Sequence, residues 1–228
     1  MGALRCSLVS RNHRALALAR GGADAAAVPP HRLADYLRGL DALMARYGLA
    51  GASYGHFGEG CMHMRIDFDL LSEDGIRAYR AFVEEATDLV VSLGGSVSGE
   101  HGDGRARSEM LGRMYGDDGL ALMAGMKDIW DPRRVLNPGV VVDPPPLDAD
   151  IRHQAPLQRK ALTLFAYPDD HGDFAQAQRR CVGIGKCRQT SGGVMCPSYQ
   201  ATREEQHSTR GRAHLQWEML QGDVVTDG

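Results

Sequence analysis

The sequence predicts an α+β fold: an antiparallel sheet with packed helices, followed by a small, mainly helical C-terminal segment. Two long stretches carry apolar residues at helical spacing, and between them the chain switches to strict period-2 alternation. The connections between these stretches are short, which favours antiparallel neighbours over crossovers.

Residues 1–27 are rich in Ala and Gly and predict no element. Pro29 and Pro30 precede a first helix whose apolar face is Leu33, Tyr36, Leu37, Leu40, Leu43, Met44 and Tyr47. Gly48 is placed to cap its C-terminus. Residues 52–56 read as a short strand running into a loop at 57–61. From there His63, Arg65, Asp67 and Asp69 alternate with Met64, Ile66, Phe68 and Leu70, the pattern of a half-buried strand. Ser72 caps a second helix with Glu73 and Asp74 in its first turn. Its apolar positions are Ile76, Tyr79, Phe82, Val83, Ala86, Leu89, Val90 and Leu93, and Gly94 ends it.

Residues 95–98 predict a short strand that delivers Glu100 and His101. A third helix covers about 118–130, and its Met123 and Met126 suit core packing better than a cofactor contact. Asp131-Pro132 and Asn137-Pro138-Gly139 break regular structure, and 140–142 reads as an edge strand. Prolines 144–146 open an extended linker that runs to residue 175. Residues 176–228 hold a cysteine region and a helix from about 202 to 220, amphipathic through Ala213, Leu215 and Leu220.

Composition narrows the function classes. A chain of 228 residues with 43% hydrophobic and 24% charged residues suits one large or two small globular domains. A net charge of −3 gives no electrostatic case for nucleic acid. No apolar run approaches the ~20 residues of a membrane span, and residues 1–20 lack the apolar centre of a signal peptide. Five cysteines, three of them close together, point to metal and a reducing compartment rather than to disulfides.

Chemistry concentrates in two glycine-rich stretches, YGHFGEGCMHMR at 54–65 and GEHGDGR at 99–105. His56, His63 and Glu100 are the ligand types that hold a divalent ion with positions left open. The two histidines fall on either side of a hairpin-like turn. By spacing alone they fit either such a site or two solvent-facing histidines near a loop. His63 and Arg65 lie on one strand face, about 7 Å apart.

GHFGEGCMH, followed by SGEHGDGR and then DPRRVLNPG, resembles the C-terminal cap domain of FAD-linked oxidases over about residues 28–143. That family includes D-lactate dehydrogenases, the glycolate oxidase flavoprotein subunit and D-2-hydroxyglutarate dehydrogenases. The resemblance implies that His56, His63 and Glu100 bind a divalent metal (Zn or Mn), that His101 is the catalytic base, and that Asn137 lies close to the FAD. Many relatives carry an asparagine where this chain has Arg65. Arg65 and Arg105 are candidates for a substrate carboxylate, against the plainer reading of surface ion pairs. For His101 the plainer reading is support of the metal ligands from behind.

A second signature, CVGIGKCRQTSGGVMCPSY and then ATREEQHSTRGRAH, resembles the start of ferredoxin-like domains fused behind such caps. It implies a 4Fe-4S cluster on Cys181, Cys187 and Cys196. The bacterial run is C-x2-C-x2-C-x3-C-P. Here Ile184 takes the middle position and eight residues separate Cys187 from Cys196. Three thiolates leave the cluster one ligand short. A second cysteine group is expected beyond Gly228, with His207 the first candidate for a non-cysteine fourth ligand.

The implied activity is oxidation of a D-2-hydroxy acid (lactate, glycolate or 2-hydroxyglutarate type) at a metal-assisted site, with electrons leaving through the cluster to a downstream acceptor. FAD is expected on a domain or subunit outside this chain, because no GxGxxG or Walker loop is present. The chain is therefore expected to be a piece of a longer protein or of a split one. It is expected in the cytoplasm, with a peripheral position at the inner membrane face as a variant. The rival readings are an electron-transfer or assembly subunit without its own activity, and a zinc-stabilised binding module.

Overall fold

The computed structural model describes residues 26–70, 72–149, 151, 163–178, 180–181, 185–191 and 195–221. The chain divides into two compact units, one within 14–154 and one within 155–228. Residues 1–25 and Ile184, both part of the sequence reading, lie outside the described residues.

In the first unit a three-stranded antiparallel sheet has the order β1-β3-β2: β1 is Ala26–Ala27, β2 Gly51–His56 and β3 Cys61–Ile66. A single bridge, Ala27 to Ser96, extends the edge at β1, so the strand expected at 95–98 is reduced to one pair of hydrogen bonds. Helix α1, Leu33–Tyr47, follows a 3-10 turn that Pro30 opens. It ends as expected at Gly48, in the left-handed conformation at φ 64, with Leu49 N–H closing onto Met44 O at 2.9 Å. Helix α2, Glu73–Ser92, starts at Ser72, whose Oγ accepts the Gly75 N–H at 3.0 Å.

These elements share one core. Met62, Met64 and Ile66 on one face of β3 meet Tyr36, Leu40, Leu43 and Met44 of α1 and Ile76, Tyr79, Phe82, Val83 and Val90 of α2. Phe82 is fully buried, in edge contact with Tyr47 at 5.7 Å and Phe68 at 5.3 Å. Phe68 and Leu70 are buried as their alternation predicts, but the strand stops at Ile66.

Beyond the core the sequence reading needs three corrections. Short helix α3, Gly104–Arg107, precedes α4, Leu111–Trp130, which begins well before 118 and breaks at Gly116 (φ 65). Its apolar side is not core: Leu122 is 77% exposed, Met126 65% and Trp130 78%, with Met123 half-buried. Apolar periodicity marks a face to be covered but not what covers it. Residues 140–142 form a bend, with Val141 at φ 66 and Val142 N–H bonded to Val140 O, rather than an edge strand. The stretch from 144 is docked at its start. Leu147 and Ile151 pack on the core, and Asp148 and Glu109 pair with Arg80 of α2.

The second unit is built from short helices: α5 Phe174–Gln178, α6 Pro197–Thr202 and α7 Thr209–Gln221. The helix expected over 202–220 is interrupted. Arg203 adopts φ 61, a 3-10 turn follows at Glu205–His207, and buried Ser208 restarts the helix by accepting the Gly211 N–H at 2.9 Å. Leu220 is buried, as the amphipathic reading requires, but Leu215 is exposed. Among the described residues no helix is long and apolar enough to cross a membrane.

Candidate metal centre

The β2–β3 hairpin sets His56 opposite Cys61 and Tyr54 opposite His63. Opposed residues and residues two apart share a sheet face, so Tyr54, His56, His63 and Arg65 all leave the face opposite the helical core. The hairpin loop turns through Gly60 at φ 74, where a side chain would run into the Val28 carbonyl.

The third candidate ligand, Glu100, comes from the loop after Ser96. An extended segment would send Glu100 and His101 to opposite sides. Here Gly99 at φ 53 and Gly102 at φ 76 bend the chain, His101 N–H closes onto Ser98 O at 3.1 Å, and both side chains reach the same place. Glu100 Oε1 lies 3.0 Å from His63 Nε2, 3.6 Å from His56 Nε2 and 3.5 Å from His101 Nε2. Buried Arg107 braces the loop by donating to Gly102 O at 3.2 Å.

One ligand atom each from His56, His63 and Glu100 lies within 4.8 Å of the others. Four ligands at zinc distances stand about 3.4 Å apart, so the trio already has close to the spacing that one ion imposes. Three N/O donors are one fewer than the four of a closed tetrahedral site. The donor set therefore fits a divalent metal.

His63 is not the half-exposed strand residue that alternation implies. It is 5% exposed, because His101 stacks on it at 4.7 Å and Tyr54 at 5.1 Å. Cys61 is buried next to Glu100: burial pushes its thiol pKa up and the Glu100 charge adds to this. It pairs with His56 in the hairpin and so shares the site face.

Residues 16–141 match the family described as FAD linked oxidases, C-terminal domain. The chain belongs to this family. It is 37% identical to a D-2-hydroxyglutarate dehydrogenase of Pseudomonas putida over 88% of its own length, and 30% identical to one of Escherichia coli over 88%. A D-lactate dehydrogenase of Archaeoglobus fulgidus is 38% identical over 51% of the chain. The chain spans 20% of the length of the first two of these relatives and 26% of the third. A match over 88% of the chain cannot be confined to residues 16–141, so the first two relatives share the second unit as well.

The remaining candidates sit differently in this FAD-linked oxidase domain. Arg65 is exposed on the site face, its guanidinium 5.9 Å from the centre of the Tyr54 ring. Arg105 is exposed in α3, one turn past the glycine loop. Asn137 is exposed in a left-handed turn at φ 43 that follows α4. That turn is held by the buried carboxylate of Asp131, which accepts the Val135 and Leu136 N–H groups at 3.0 and 2.9 Å and pairs with Lys127 at 2.7 Å. The Lys127 ammonium holds the Asp131 pKa down to about 2. Ser108 Oγ accepts the Val141 N–H at 2.8 Å and donates to Gly104 O, so the Asn137 turn is tied to the stretch that carries Glu100.

In the second unit Cys181 is exposed, Cys187 half-buried and Cys196 buried, all as free thiols. Among the described residues only His56, His63 and Glu100 are gathered tightly enough for a single ion. Nearby, Glu205 pairs with Arg210 at 2.7 Å and raises its pKa. Cys196 adopts φ 55 before Pro197, and its sulfur lies 3.4 Å from His207 O. The Tyr199 backbone N–H, then the Thr209 hydroxyl, favour its thiolate and lower its pKa to about 7. Three thiols are one fewer than the four of a cubane iron–sulfur cluster.

Proposed function

We propose that this chain forms the metal-binding and substrate-binding part of a FAD-dependent dehydrogenase that oxidises a D-2-hydroxy acid. One observation carries the reading: three imidazole Nε2 atoms converge within 3.6 Å on a single oxygen of Glu100, on a sheet face clear of the core. Names of the relatives, D-2-hydroxyglutarate and D-lactate dehydrogenase, point to the same class of substrate.

His56, His63 and Glu100 hold a zinc or manganese ion. A bound ion would supply Lewis acidity toward the substrate hydroxyl. His101, stacked on the ligand His63, accepts the hydroxyl proton. FAD, when bound, supplies the acceptor for the hydride from C2. Its binding part lies outside this chain, and the exposed apolar surface of Leu122, Met126, Ile129, Trp130, Val135 and Leu136 is where that part docks. Asn137, at the end of this surface, approaches the flavin. The relatives are about five times longer than this chain, which leaves room for such a part.

Cys181, Cys187 and Cys196 are three ligands of an iron–sulfur cluster, with a fourth from His207 or from a further cysteine group. A 4Fe-4S cluster would supply a one-electron exit to a downstream acceptor. Closely spaced cysteines that serve as cluster ligands suit a reducing, cytoplasmic compartment.

Chelation tests the metal-assisted reading. In the flavin-loaded enzyme, substrate bleaches the flavin absorbance. Removal of divalent ions should abolish bleaching, and zinc or manganese should restore it. Bleaching at an unchanged rate in metal-free enzyme would remove the ion from the mechanism.

A further inference from the structure

The turn that carries Asn137 is held in an unfavourable backbone. Arg134, Asn137, Val141 and Asp143 all adopt left-handed φ values, 51, 43, 66 and 49. For β-branched Val141 this region is sterically disfavoured, and residues of this kind persist where neighbouring groups hold them. Among the described residues, the hydrogen bonds and ion pairs of 131–143 stay within 127–143, through Asp131, Lys127 and the pairs of Arg134 with Asp128 and Asp143. The exception is Val141, whose N–H donates to Ser108 Oγ at 2.8 Å. Ser108 is buried, and its hydroxyl proton goes in turn to Gly104 O. Just before it, buried Arg107 donates its backbone N–H to Asp103 O and its Nη1–H to Gly102 O, each at 3.2 Å. Two adjacent residues thus receive three successive carbonyls of the glycine loop that carries Glu100 and His101.

We infer that Ser108 is a positioning residue that ties the Asn137 turn to the glycine loop, so that occupation of the metal site also fixes the turn. This rests on the reading of His56, His63 and Glu100 as the metal site. Glycine at 102 and 104 leaves the loop several allowed bends. An ion held between Glu100 and the histidines of β2 and β3 selects one of them. Gly104 O then orients the Ser108 hydroxyl, and the hydroxyl oxygen holds the Val141 N–H. Val140, next in the chain, closes the turn by donating its N–H to Asn137 O at 3.3 Å. Asn137 is therefore placed from the metal side as well as by Asp131. Linkage is reciprocal: a partner that orders the turn strengthens metal binding by the same factor.

Nuclear magnetic resonance of the isotope-labelled 228-residue chain, with Cys181, Cys187 and Cys196 replaced by serine, tests this by titration with zinc. The amide signals of Asn137 and Val140 should move in step with that of His101. Zinc should also slow hydrogen exchange of the Val141 N–H about tenfold or more. In Ser108→Ala the His101 signal should still move with zinc, while those of Asn137 and Val140 stay in place. A serine that only supports the fold would leave the zinc response of these amides the same in both chains. Asn137 and Val140 signals that ignore zinc in the parent chain, or that follow it equally in Ser108→Ala, would overturn the assignment. So would Val141 exchange at the same rate with and without zinc, a result that needs no variant to fold. A parent chain in which zinc moves no signal, His101 included, would instead defeat the metal reading itself, and this assignment with it.

Discussion

At the residue scale, two histidines of the same short motif have opposite environments. His56 is exposed at the end of β2, while His63 lies beneath His101 and Tyr54. A side chain stacked this way is held in one orientation, which lowers the ordering cost of any binding it takes part in. Cys196 shows a comparable local effect in the second unit. Its folded-state pKa falls from the ordinary 9.0 to about 7. The sign is that of an acid favoured in its ionised form. The stabilisation is complete above pH 9, and it is lost as pH falls through 7. In a Cys181→Ser, Cys187→Ser chain, alkylation of Cys196 should rise with a midpoint near pH 7 when folded and near pH 9 in denaturant. The same midpoint in both conditions would show that the Tyr199 and Thr209 hydrogen bonds do not act on the sulfur. The motif residues were legible in sequence as ligand types. The burial of His63 was not, because it comes from His101, thirty-eight residues away, and from a strand pairing that alternation does not specify.

At the scale of elements, α1 and α2 were the most legible parts. Each combines a helical apolar period with an end signal, Gly48 for one and Ser72 for the other. Their shared core predicts a large effect at its centre. Phe82→Ala removes a fully buried ring in contact with Tyr47 and Phe68, and should lower stability by about 3–5 kcal/mol in chemical denaturation. A loss below about 1 kcal/mol would mean that Phe82 does not lie at this centre. Helix α4 was read less well for two physical reasons. Gly112 and Gly116 weaken the helical signal of its first turns, although Leu111 there is fully buried. Its second half has a sound apolar period, but the period does not reveal that the face is left uncovered within this unit. The turn from Gly99 to Gly102 was legible only as a possibility, since glycine permits a left-handed bend without requiring one.

For the whole molecule, the two units carry different chemistry on one chain. The first supplies two histidines and a glutamate on a sheet face backed by a two-helix core. The second supplies three thiols, at Cys181, Cys187 and Cys196, in a unit of short helices that also carries an Arg188–Glu205–Arg210 ion-pair network. The D-2-hydroxyglutarate dehydrogenase relatives match across both units, whereas the D-lactate and glycolate relatives match about half of the chain. Bound metal is the most direct readout of the centre formed by His56, His63 and Glu100. The purified 228-residue chain, incubated with zinc and desalted, should retain one zinc ion on the first unit by elemental analysis when all three thiols are replaced by serine. Introducing His63→Ala into that chain should reduce retained zinc to a small fraction, with the far-ultraviolet circular dichroism spectrum unchanged. Zinc retained at the same stoichiometry in the His63→Ala chain would contradict the assignment of His56, His63 and Glu100 as its ligands.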